Sequence, residues 1–238
     1  MIESLLGKLK RTWSLSGKKE APDGGRKKPG RHFSSASYTI ENVGSISVTE
    51  VSGAFGLIKR EVAVLTPLCR DLPVFLAESR HEVGKDILWI GFADAMLEPL
   101  PDEIGDAFRM LKAAYDYLPA YELPWTGSLP LYDFSLSVSG REVGLIKEAI
   151  VRKFFTLYAD CIKKAPVIDS RAKTEKLKIC AESFFQADSP LRRQLIRLLG
   201  RERTEEFYSS IFRSGIPSRP SYHNPPVCKG ERRRGIIQ

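Results

Sequence analysis

Residues 87 to 97, Ile-Leu-Trp-Ile-Gly-Phe-Ala-Asp-Ala-Met-Leu, are the most apolar stretch of the chain. A run this uniform has no wet side and must lie inside a fold, yet it is far shorter than the roughly 18 to 20 residues that cross a bilayer. It predicts a central buried helix, opened by Asp86 and ended by Pro99 and Pro101.

Other segments build outward from it. Tyr38 and Ile40, then Ile46 and Val48, alternate with polar residues around Asn42 and Gly44, as in a hairpin. Ser52 can cap a helix to about Cys69 with Phe55, Ile58, Val62 and Leu65 on one face, and a helical hairpin is expected after it. Asp102 and Glu103 start a helix whose buried face is Ile104, Phe108, Leu111, Tyr115 and Leu118. Residues 119 to 130 form an aromatic loop around Tyr121 and Trp125, broken by prolines, that is either a packed cover or an exposed contact. Tyr132, Phe134, Leu136 and Val138 alternate as a strand. Val143, Ile146, Ile150, Phe154, Leu157 and Cys161 then keep helical spacing over about 141 to 164. Shorter helices follow at about 171 to 187, 190 to 199 and 204 to 213, with Ser189 before Pro190 as a capping signal. The expected fold class is α+β: a single, mostly helical domain over residues 36 to 215 with a small antiparallel sheet, flanked by basic flexible arms.

Charge sets the arms apart. Residues 1 to 31 hold nine Lys/Arg against three acids, and residues 216 to 238 hold five against one. The net charge of +8 therefore leaves −2 for everything between. A near-neutral body with two basic ends suits a negatively charged partner. In the first arm Ile2, Leu5, Leu6, Leu9 and Trp13 share one side of a short amphipathic helix. Lys8, Lys10 and Arg11 lie off it, and Lys18 and Lys19 continue as a basic strap. This is a candidate membrane-binding site for anionic lipid, and folding back onto the body is the other reading of the same stripe. Arg26, Lys27 and Lys28 with Arg232, Arg233 and Arg234 are candidate nucleic-acid contacts or import signals. Within the body, residues 32 to 139 carry −8 and residues 140 to 203 carry +7, a polarity suited to head-to-tail self-association.

Catalytic signatures are missing. The three histidines are scattered, no GxxxxGK[ST] or GxGxxG occurs, and Asp102 with Glu103 reads as helix-start charge. The four cysteines form no close pairs, which predicts reduced thiols in a cytosolic compartment and no zinc. No enzyme activity, cofactor, metal or small-molecule substrate is expected.

A basic membrane-seeking start (Lys8, Lys10, Arg11, Lys18, Lys19), an α+β core and a basic end together resemble the matrix proteins of enveloped negative-strand RNA viruses, the rhabdovirus type above all. The resemblance is one of organisation. It implies a structural protein of the virion and host cytoplasm that lies on the inner membrane face, self-assembles, contacts ribonucleoprotein and drives budding. The PPxY budding signal of that family is absent; Pro220-Ser221-Tyr222 and Pro225-Pro226 are fragments of it. The alternative is a nucleic-acid-binding or nuclear accessory protein acting through the basic tails.

Overall fold

The computed structural model describes residues 5–7, 9, 13, 15–20, 32–53 and 57–213. Its centre is a seven-stranded sheet in the order β1 to β7, in which each strand runs antiparallel to the one before it. The strands are β1 (Leu15–Glu20), β2 (His32–Ile40), β3 (Gly44–Gly53), β4 (Ile58–Thr66), β5 (Val74–Glu82), β6 (Lys85–Ala93) and β7 (Leu136–Gly140). The helices are α1 (Asp102–Ala113), α2 (Arg141–Lys164), α3 (Thr174–Gln186), α4 (Pro190–Leu199) and α5 (Arg201–Arg213).

This corrects the expected fold class, since the sheet is the organising layer and not a small appendage. Residues 52 to 69, expected as a helix, hold the end of β3 and all of β4; the expected helical hairpin contains β5; the expected central helix at 87 to 97 is mostly β6. Helical layers cover both sides of the sheet, so over the central parts of β4, β5 and β6 both sets of alternate side chains are mostly apolar and the two-residue period is lost from the sequence. Val62 and Leu65 illustrate the point: their spacing suits one helix face, yet they lie in opposite core layers.

The first face, carrying Ile46, Val48, Ala63, Leu65, Phe75, Ala77, Leu88, Ile90, Phe92, Leu136 and Val138, packs on α1 and α2. Phe92 is its hub, with the rings of Phe75, Phe108, Phe134, Phe154 and Tyr158 at centroid distances of 4.6 to 6.2 Å. The second face, carrying Val51, Val62, Val64, Val74, Leu76, Trp89 and Ala93, packs on α3, α4 and α5. The β2–β3 turn places Asn42 at φ 57, a left-handed position that Asn tolerates well, at the hairpin the sequence marks.

Lys173 and Asp71 fasten the second layer at its edge. The Lys173 ammonium donates to the carbonyls of Arg70 (2.9 Å) and Leu72 (2.5 Å), and the Asp71 carboxylate accepts from the backbone N–H groups of Leu97 and Glu98. Burial lowers the Lys173 pKa to about 8, although Asp71 pulls the other way. Cys161 and Cys180 are buried free thiols. Cys69 is disulfide-bonded, against the expectation that every cysteine is reduced.

Candidate ligand-binding site

Strand alternation puts an unusual set of side chains on the second face. Arg60 of β4 stands opposite Arg80 of β5, and Glu78 stands between Val62 and Trp89 in the register. All belong to a face whose β4, β5 and β6 neighbours are mostly Val, Leu, Ile, Trp and Ala, with small hydroxyl residues Ser45, Ser47, Thr49 and Thr66 farther along β3 and β4, and helices cover it. Arg60 is 3% exposed and Arg80 7%. Buried charge costs several kcal/mol per group unless paired and hydrogen-bonded, so these residues need partners.

They have them only in part. Arg60 Nε lies 3.0 Å from Glu78 Oε1 and Arg80 Nε 3.0 Å from Glu82 Oε1. In neither pair is the Nε–H aimed well enough to make a hydrogen bond. Arg80 Nη2 donates to the Tyr121 hydroxyl at 2.9 Å, and its guanidinium sits 5.7 Å from the centre of that ring. Among the described residues, Arg60 Nε and Nη1, Arg80 Nε, Arg192 Nε and Trp125 Nε1 of this cluster, and Arg70 Nε outside it, are buried without a hydrogen-bond acceptor.

Three elements close over the cluster. The Ser189 hydroxyl caps α4 by accepting from the backbone N–H of Arg192 at 3.0 Å, and Pro190 takes the first helical position. Tyr208 of α5 stands 3.4 Å from the Ser189 hydroxyl; burial pushes its own hydroxyl up to about 12, with Glu78 adding to the rise and Ser189, Arg60 and Arg192 opposing it. The third element is a 3-10 turn, Pro124–Ser128, whose Trp125 meets Trp89 edge to face at 5.1 Å. Trp89 needs Gly91 beside it, because a Cβ there would come within 2.5 Å of the indole. Glu78, Arg80, Ile87, Trp89, Leu123, Trp125 and Pro190 line a cleft between sheet and cover, with about 10 Å³ inside, the space of about one water.

A second polar group lies on the first face, where Asp86 accepts from Lys147 at 2.8 Å and pairs with His81 at 3.3 Å. Burial raises the Asp86 carboxyl, but Lys147 and His81 hold it below its ordinary value overall. Gly144 lets α2 approach, since a Cβ there would meet Asp86 Oδ2 at 2.5 Å. Here each charge has an aligned partner and His81 is exposed, so the group reads as a surface brace. Among the described residues no three His, Cys, Asp or Glu side chains are grouped to hold a metal, and no helix is long and apolar enough to cross a membrane.

No family model matches the chain, and no curated protein does. Several solved structures are similar in fold. Among them is selenomethionine phytochromobilin synthase from tomato in complex with biliverdin, which superposes with a TM-score of 0.68 over 89% of this chain and 80% of its own, at 11% identity. At that identity the likeness is one of fold alone.

The residues singled out in the sequence lie elsewhere. Leu5 and Leu9, from the expected membrane stripe, are buried in the first-face core, Leu6 packs against it, and Trp13 meets Phe155 edge to face at 6.3 Å. The fold therefore turns Leu5, Leu6, Leu9 and Trp13 of this stripe toward the core. Lys18 and Lys19 sit on β1, paired with β2, inside the stretch expected to be a flexible strap. Ile2, Lys8, Lys10, Arg11, Arg26, Lys27, Lys28, Arg232, Arg233 and Arg234 lie outside the described residues. Arg60, Glu78 and Arg80 carry no signal when residues 52 to 86 are taken as helix and loop, and Arg192 reads as an ordinary basic residue of the helix at 190 to 199. In the correct strand register, charges at alternate positions of apolar strands mark them.

Proposed function

We propose that the protein binds a planar, conjugated organic molecule of the linear-tetrapyrrole class between the second face of the sheet and the cover formed by Trp125 and the start of α4. The observation that carries this reading is Glu78, a carboxylate held inside an apolar layer beside two tryptophans and two buried arginines. A carboxylate in such a place suits N–H donors of a heterocycle, while Trp89 and Trp125 supply flat apolar surface for a conjugated system. A fold neighbour that carries biliverdin lends the ligand class support. Membrane docking through the expected N-terminal stripe is not proposed, because Leu5 and Leu9 of that stripe are core residues.

The test is an absorbance titration of the full chain with biliverdin, followed in parallel by tryptophan fluorescence. Saturable change in the pigment spectrum with quenching of tryptophan is expected, and Glu78→Gln should weaken binding at least tenfold while the far-ultraviolet circular dichroism stays that of wild type. Absence of saturable binding at high micromolar pigment overturns the proposal.

A further inference from the structure

We infer that Arg60, Arg80 and Arg192 form a recognition site for a carboxylate borne by the bound molecule. The inference deepens the proposed reading of the cleft and rests on it for the site's location, but it concerns a different part of the ligand from the part that faces Glu78.

Charge balance is the first argument. Arg60 and Arg80 are direct cross-strand partners, and like charges in that position repel each other. Arg192 is near enough that its charge acts on Tyr208 together with those of Arg60 and Glu78. Within the layer the guanidiniums of Arg60 and Arg80 face the carboxylate of Glu78, while Glu82 stands at the more exposed edge and Arg192 reaches the exposed Asp188 at 3.6 Å. A ligand carboxylate would neutralise the excess positive charge inside the layer.

Hydrogen-bond geometry is the second. Arg60 Nε and Nη1, Arg80 Nε and Arg192 Nε are all buried and lack an aligned acceptor among the described residues, with the indole N–H of Trp125 in the same state. A buried guanidinium with idle donors is costly in a protein that only needs to fold, and an apolar residue of similar volume would serve stability as well. Idle donors are what an oxyanion uses: guanidinium groups take carboxylates in paired, planar fashion, and a water-poor layer strengthens each bond. Arg80 lines the cleft itself, Arg60 lies beside it on the next strand, and Arg192 follows Pro190 at the rim.

The test uses two matched pairs of probes on the full chain: biliverdin against its dimethyl ester by absorbance, and benzoate against the neutral isostere benzamide by tryptophan fluorescence. Each is repeated with Arg80→Gln and with Arg192→Gln; Arg192, partly exposed on α4, can be replaced without opening the core. Free biliverdin is expected to bind at least tenfold more tightly than the ester. Benzoate should quench saturably where benzamide does not, and both preferences should shrink tenfold or more in the variants. Equal binding of acid and ester, or of benzoate and benzamide, overturns the carboxylate site and leaves the ring-binding proposal standing. Benzoate preference without biliverdin binding supports the carboxylate site and overturns the tetrapyrrole reading. Binding of none of the four overturns both.

Discussion

The two faces of the sheet bury comparable elements in opposite ways. The first is closed by aromatic rings around Phe92 and by the N-terminal Leu5 and Leu9, and its charges stay at the periphery, each with an aligned partner. The second places Arg60, Glu78 and Arg80 inside its layer and leaves several of their donors idle. Proteins break the rules of core composition mainly where function requires it, so charges kept inside one layer at some expense to folding mark that layer as the one that serves a ligand. The contrast assigns the first face to stability and the second to binding.

The comparison breaks first if the aromatic hub proves dispensable. Phe92→Ala should destabilise by about 3–5 kcal/mol in urea unfolding, because five rings lose a shared partner; a loss below about 1 kcal/mol would mean the first face is not the stability face. On the second face, Arg60→Met alone should cost about 3 kcal/mol by stranding Glu78, whereas Arg60→Met with Glu78→Leu should recover most of that and still fail to bind biliverdin. If the double variant remains as unstable as the single one, the charges are there for folding and the contrast fails.

A third test uses pH. Because folding lowers Lys173 from 10.5 to about 8, the unfolded chain holds a proton in that interval that the folded chain has released. Stability should therefore rise between pH 8 and 10, by up to about 3 kcal/mol, before the buried tyrosines, which folding keeps protonated to higher pH, begin to oppose it. Lys173→Met should flatten that rise in melting curves. The mildest expected change is at the N-terminal segment, where Leu9→Ala should cost about 2 kcal/mol; no change in melting temperature would release this stripe for an external role.

How much of this was legible in the sequence follows from what each element touches. Helix α2 keeps one wet side, so its period survives, and Asn42 with Gly44 marks a turn by local backbone chemistry alone. β4, β5 and β6 are covered on both sides, which erases the alternation that identifies a strand. Leu5 to Trp13 has the same amphipathic pattern whether its apolar side meets lipid or the protein's own core, and only the tertiary structure separates the two. The candidate site was hidden for the same reason as the strands: Arg60 and Glu78 are 18 positions apart and become neighbours only through the pairing of β4 with β5.

The most direct test of the assignment of faces is hydrogen–deuterium exchange of the full chain with and without biliverdin. Slowed exchange is expected in the Pro124–Ser128 turn and at the start of α4, with α1 and α2 unchanged. Protection confined to α1 and α2, or no protection at saturating pigment, would contradict it.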